Sequence, residues 1–325
     1  MTRPGTAAAA ALAAGALLAA CGGADDPPDR RFGPGPVEPT RLVAFDGRGP
    51  LVGVADNRSE TFDDPRFQAT GVDRVRVVMP WDDVTSPGPR RKVQDHYLRQ
   101  ARRNGKEVLV SFYRSYREPR ALPSAARFRS AVRRFRARHP WVRHFSVWTE
   151  PNSSVQPTSR SPERTAAYYR VLRDECAGGE CVVTTGDFRL DGSRASSRWL
   201  ERFTRAIGPG PHIWGLSSFE DVERRSTALT RAFLARTRGP VWVAETGAVY
   251  RNASFPRPDP ARQRRQMAFL VTRYPAASRR IERMYVYHWR STGPGESFDS
   301  GLLGANGSLR PAYWEFTRGI GRLTP

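Results

Sequence analysis

A (β/α)8 barrel is the fold class this sequence predicts, and three observations predict it. From about residue 41, short strand-forming runs alternate with longer amphipathic stretches, the pattern of parallel strands joined by helical crossovers. The runs number eight, the count that closes a barrel. Two of them stop at a glutamate: His144-Phe145-Ser146-Val147-Trp148 ahead of Glu150, and Pro240-Val241-Trp242-Val243 ahead of Glu245. The C-terminal ends of the strands are where such a barrel keeps its chemistry. The competing arrangement is a doubly wound open sheet. Gly53-Val54-Ala55-Asp56-Asn57, after the first run, is not the Gly-rich phosphate loop that sheet would carry there.

The elements follow in chain order. Arg3 supplies a thin positive start, and Ala7 to Ala20 is apolar but short for a bilayer span, so residues 1–21 read as an export signal. Its end, Leu18-Ala19-Ala20-Cys21-Gly22, resembles the lipobox of bacterial lipoproteins. The resemblance implies that Cys21 is lipidated and becomes the first mature residue, so that the protein is extracytoplasmic and anchored to the cell membrane. A plain secretory peptide is the alternative. Residues 22–40, with Asp25-Asp26-Pro27-Pro28 and Gly33-Pro34-Gly35-Pro36, lack apolar periodicity and read as a flexible tether. Residues 41–325 form the barrel domain.

The predicted strands are Leu51–Ala55, Arg74–Met79, Glu107–Phe112, Phe145–Trp148, Val182–Thr185, Ile213–Ser217, Val241–Ala244 and Met284–Tyr287. Helical signals lie between them. Asn104-Gly105 ends the helix before the third strand. Phe128, Val132 and Phe135 recur at helical spacing with arginines on the opposite face. Ser161-Pro162 and Asp259-Pro260 each pair an N-cap with a proline at the first helical position. Cys176 and Cys181, in an exported chain, are expected to form a local disulfide stapling the connection into the fifth strand; two free thiols are the alternative.

The formal net charge is +21. Lys92 and Lys106 are the only lysines, so arginine carries nearly all of it, scattered along the chain. Solvated arginine-rich faces arising from coding bias explain that pattern; a basic surface facing anionic polymer or lipid is the alternative. No zinc-finger, RNP or helix-turn-helix pattern points to nucleic acid. No cofactor fingerprint and no His-rich or carboxylate cluster suggests a cofactor or a metal. A monomer is expected.

Glu150 follows the fourth strand and Glu245 the seventh, across the barrel mouth from each other. Two carboxyl groups flanking one cleft are the equipment for breaking a glycosidic bond, about 5–5.5 Å apart if the anomeric configuration is retained. Here the sequence resembles the clan A glycoside hydrolases, with family 39-like members nearest, over most of residues 41–325. Trp148-Thr149-Glu150-Pro151-Asn152 is similar to the clan's acid/base segment and Ala244-Glu245-Thr246-Gly247 to its nucleophile segment. The resemblance implies a retaining β-glycosidase acting on a carbohydrate substrate, with Glu150 as acid/base and Glu245 as nucleophile. It implies that Arg76 lies beneath the nucleophile and that Trp289, in His288-Trp289, is a sugar platform. Trp81, Thr149, Asn152 and Phe219 complete the expected substrate contacts. Two positions depart from the clan pattern. Thr149 stands where an asparagine bonds the sugar 2-hydroxyl, and Ser217-Ser218-Phe219 stands where relatives often read His-Pro-Tyr. The departures motivate a second reading, a non-catalytic carbohydrate-binding lipoprotein on a degenerate barrel.

Overall fold

Eight parallel strands pair in chain order, and the eighth pairs with the first, in the computed structural model, which describes residues 49–323. The strands are β1 Leu51–Ala55, β2 Arg74–Pro80, β3 Glu107–Tyr113, β4 His144–Ser146, β5 Val182–Arg189, β6 Ile213–Ser217, β7 Val241–Thr246 and β8 Ile281–Tyr287. Between and after them run α1 Pro65–Gln68, α2 Pro89–Arg103, α3 Ala125–Arg138, α4 Pro162–Glu175, α5 Arg194–Ile207, α6 Phe219–Arg224, α7 Ala228–Leu234, α8 Pro260–Thr272 and α9 Pro311–Leu323. The expected (β/α)8 barrel is therefore the observed fold. Cys21, the signal and the tether lie outside the described residues. Among the described residues no helix is long and apolar enough to cross a membrane.

The strands bury two different faces, and period-two alternation separates them. Val52, Val54, Val75, Val77, Val108, Val110, Phe112 and Phe145 belong to the large apolar layer shared with the helices. Ala55, Leu109, Trp242, Ala244 and Tyr285 form a second, small cluster in the barrel interior. Gly53 makes room there, since a Cβ on it would lie 2.6 Å from the Tyr285 ring. On α3, Phe128, Ala131, Val132 and Phe135 are buried, while Arg129 and Arg133 on the outer face pair with Glu175 of α4. The expected cap holds at Asp259, whose carboxylate accepts from Arg262 N–H at 2.8 Å. At Ser161 the proline is in the first helical turn but the serine side chain makes no cap bond. Gly105 follows α2 with φ +63°, the left-handed conformation that ends a helix.

Several strand ends differ from the expectation, β7 running on to Thr246 and so including Glu245, and the ends of β4 and β5 also shape the mouth. β4 stops at Ser146, two residues early, because the chain turns toward the left-handed Glu150 (φ +42°). Thr149 still donates its N–H to Phe112 O at 2.8 Å, which holds the turn against β3. β5 runs on to Arg189 and carries Asp187 inside the barrel. Cys176, at the end of α4, is disulfide-bonded to Cys181, one residue before β5, with Cα atoms 5.2 Å apart.

Candidate active site

Arg76 organises the mouth. It points inward from β2, is 1% exposed, and its guanidinium donates in four directions. Nε donates to Ser111 Oγ at 2.9 Å, Nη1 to Glu245 Oε2 at 2.7 Å, and Nη2 to Asp187 Oδ2 at 2.5 Å and Thr149 Oγ1 at 3.2 Å. A buried cation is tolerated only with such saturation. The two carboxylates raise its pKa above the ordinary arginine range despite the opposing effect of burial. Asp187 is itself fully buried and accepts a second hydrogen bond, from Ser146 Oγ at 2.5 Å.

Glu245 sits near the end of β7, where the register against β6 and β8 slips. Such irregularities re-aim a side chain at the end of a strand. Two residues on, Gly247 lets the chain pass β8: a Cβ there would lie 2.3 Å from Tyr287 O. Glu150 is 3% exposed, as is Glu245. Its left-handed backbone costs a non-glycine residue on the order of 1–3 kcal/mol, strain that clusters at functional sites. Its Oε1 accepts from Ser217 Oγ at 2.9 Å, so the serine at the clan's histidine position bonds one of the two glutamates.

The surroundings separate the two carboxyl groups. Burial, then the charge of Glu245, pushes the Glu150 pKa up to about 7, against the pull of Arg189 and of the Ser217 bond. Burial also raises Glu245, but the Arg76 charge and hydrogen bond favour its ionised form, while Asp187 adds to the rise. One glutamate has a guanidinium at 2.7 Å and the other a neutral hydroxyl at 2.9 Å. Of the pair, Glu150 is therefore the one that holds a proton near neutral pH.

The expected substrate contacts fare differently. Arg76, Thr149, Glu150 and Glu245 come together, but the Thr149 hydroxyl accepts from Arg76. Phe219, 7% exposed, opens α6 and meets Phe298 edge-on at 4.8 Å, with the Tyr287 ring at 6.4 Å. Three expectations are corrected. Trp289 is 1% exposed; its ring packs edge-on against Phe67 and Tyr313, and its N–H donates to Asp64 at 3.1 Å, so it offers no platform. Trp81 is buried in the layer between barrel and helices, under the Arg127 guanidinium. The Asn152 amide is engaged by Arg189 O, Arg189 N and Ser196 Oγ at 2.9–3.0 Å, leaving it braced against β5.

Ser111, Ser146, Arg189 and Tyr287 were not among the expected site residues, and Asp187, expected as a group that could bind sugar hydroxyls, instead accepts from Arg76 and Ser146. Tyr287, half-buried, ends β8; burial and the Glu245 charge hold its phenol well above its ordinary range. For Ser111 and Ser146 a signal existed: each is a polar residue within an apolar strand run, where a buried arginine needs partners. Among the described residues, His288, Glu296 and Asp299 are the group whose atoms could hold a metal, lying within 4.8 Å of one another. Asp299, however, takes Arg310 on both oxygens at 2.7 Å and also accepts from Ser291 Oγ and Gly301 N–H. That carboxylate is already neutralised by a guanidinium, which disfavours a cation beside it.

The sequence matches no protein-family model and no curated protein. Solved structures do share its fold. A bacterial Ig-like domain-containing GH10 xylanase from termite gut superposes with a TM-score of 0.61 at 12% identity, over 85% of this chain and 76% of that one. Xylanase 10B from Thermotoga petrophila, in complex with xylobiose, gives 0.58 at 10% identity, over 85% and 95%. A β-glucosidase designated 1317 gives 0.54 at 16% identity, over 82% and 89%. The chain has the (β/α)8 fold of these glycoside hydrolases.

Proposed function

We propose that the protein is a retaining β-glycosidase acting on a poly- or oligosaccharide, with Glu245 as nucleophile and Glu150 as acid/base. The observation that carries this reading is the unequal environment of two buried, mutually repelling carboxyl groups at one barrel mouth. In the first step the Glu245 carboxylate forms a bond to the anomeric carbon as the bond to the leaving oxygen breaks. The Glu150 proton passes to that oxygen. In the second step Glu150, now a carboxylate, takes a proton from water; the water oxygen bonds the anomeric carbon, and Glu245 departs. Arg76 keeps the nucleophile ionised and oriented, and the Ser217 hydroxyl fixes one oxygen of Glu150. The glycoside hydrolases that share the fold support a carbohydrate substrate.

The test is kinetic and stereochemical. Glu245→Ala should abolish turnover. Glu150→Ala should be less damaging on substrates with good leaving groups, and azide should rescue it, giving a β-glycosyl azide. A mechanism-based fluorosugar should label Glu245, as read by peptide mapping. An inverted first product by NMR would overturn the mechanism, and indifference of turnover to both substitutions would overturn the site. A second reading, a carbohydrate-binding protein without turnover, is favoured by Thr149, whose hydroxyl is engaged by Arg76 where the clan has an amide. It gains support if no glycoside is turned over while saccharides still bind.

A further inference from the structure

An arginine-lined cavity lies on the loops at the C-terminal end of the barrel. Its volume is about 580 Å³, and it lies between the loop after β3 and the loop after β4. Arg114 and Arg120 come from the first loop, and Gln156, Ser159 and Arg160 from the second; no aspartate or glutamate lines it. Both loops leave C-terminal strand ends, and the second carries Glu150 a few residues ahead of its first cavity-lining residue, Ser154. Arg114 ties the loops together, donating from Nη1 to Val155 O at 2.8 Å.

Two observations separate this cavity from the general basicity of the chain. First, three guanidiniums converge on one concave surface with no carboxylate among them, whereas several helix-surface arginines have one: Arg129 and Arg133 share Glu175, Arg138 has Asp95 and Arg202 has Glu163. Among the described residues no ion pair engages Arg114, Arg120 or Arg160. A second cavity, against α3, also has arginines, but there Arg129 and Arg133 are paired and only Arg134 has no carboxylate. Second, the lining residue Gln156 holds a buried donor. Its carbonyl oxygen accepts from the Trp148 indole N–H, which can only donate, so the orientation of the amide is fixed. The amide nitrogen, on a side chain 2% exposed, has no hydrogen-bond partner. Three guanidiniums without a carboxylate partner, and a lining residue with an unsatisfied donor, are a recognition set for an oxyanion.

We propose that this cavity is a subsite for an anionic group of the saccharide, a uronate carboxylate or a sulfate ester, carried on the Glu150 flank of the mouth. The proposal rests on the glycosidase reading for its orientation, since the acid/base protonates the leaving group and so marks the leaving-group side. An anionic polysaccharide is then the substrate class.

The test measures binding in the full chain carrying Glu150→Gln, which blocks turnover. Calorimetric titrations use three oligosaccharides of equal length: a hexuronate oligomer, a sulfated oligomer and a neutral oligomer. At least one anionic oligomer should bind about tenfold tighter than the neutral one, and its affinity should fall as salt is raised. Arg120→Gln with Arg160→Gln should erase that advantage without changing neutral binding. Arg236→Gln with Arg273→Gln, exposed arginines preceding β7 and β8 at the other end of the barrel, should leave it intact. Which anionic oligomer wins identifies the group. Equal affinity for anionic and neutral oligomers, or equal loss from both arginine pairs, would overturn the subsite. Turnover is read separately with Glu150 intact. Arginine-dependent anion binding without hydrolysis of any glycoside would leave the subsite standing and sink the catalytic reading. Hydrolysis indifferent to Arg120 and Arg160 and to substrate charge would do the reverse.

Discussion

At the scale of single residues the site is an exercise in buried charge. One guanidinium, Arg76, lies between Asp187 and Glu245, both hidden from solvent. Removing it leaves uncompensated carboxylates in a low-dielectric interior, so Arg76→Leu should destabilise the fold by about 3–5 kcal/mol at neutral pH. The loss should shrink toward pH 4 as Glu245, whose pKa burial already raises, protonates. Urea denaturation at the two pH values checks it, and a neutral-pH loss below about 1 kcal/mol would mean that the network carries little energy. Glu150 has the opposite problem, a carboxyl without a cationic hydrogen-bond partner. Its folded pKa is raised from the ordinary 4.5 to about 7. Below pH 4.5 it is protonated in both states and costs nothing. As pH rises toward 7 the unfolded state gains relative stability, by about 3 kcal/mol at the upper bound, because the folded group resists ionisation. Glu150→Gln should remove that dependence, so its stability curve should diverge above wild type between pH 4.5 and 7; parallel curves would refute the burial argument. The same proton sets the alkaline limb of kcat/KM, which should fall as pH passes about 7.

At the scale of elements, strand ends and crossovers decide where side chains are delivered. The early end of β4 and the register slips of β7 put Glu150 and Glu245 off the regular pleat, where ideal strands would alternate them strictly in or out. The connection from α4 into β5 is stapled by Cys176–Cys181, and β5 carries Asp187. The closed loop is short, so Cys176→Ser with Cys181→Ser should lower stability by about 2 kcal/mol. Comparing denaturant midpoints under oxidising conditions measures it. A variant as stable as wild type would mean that the α4–β5 turn is held by its other contacts, such as Arg136 with Glu175 O and Glu180.

At the scale of the whole molecule the barrel is one part of a longer design. The apolar start and the lipobox-like Leu18-Ala19-Ala20-Cys21-Gly22 stand ahead of a Pro- and Gly-rich stretch. We propose that the barrel is displayed outside the cell on a lipid-bearing Cys21. Cys21→Ser should release the protein from the membrane fraction in a cell-fractionation assay. Retention equal to wild type would refute the anchor. The excess of arginine would favour residence near anionic surfaces, and its specific use is expected at the arginines lining the cavity on the loops after β3 and β4.

The sequence by itself determined the barrel and the two glutamates. Strands buried on both faces are nearly continuous apolar runs, and eight of them between amphipathic stretches leave few other architectures. A glutamate closing such a run is visible because a charge at that place is costly without a use. The tertiary structure alone decided what surrounds those glutamates. Ser111, Thr149, Asp187 and Glu245 meet Arg76 across 35, 73, 111 and 169 residues of chain, separations that only closing the barrel brings within hydrogen-bond reach. It also decided which aromatic and amide groups face the mouth. Trp81, Asn152 and Trp289 lie near strand ends in the sequence, but position along a chain does not specify rotamer or direction. Packing against Phe67 and Tyr313 draws Trp289 into the core, and Arg189 and Ser196 hold Asn152. A run of residues encodes local burial; the direction of a loop side chain is set by neighbours that arrive from elsewhere in the chain.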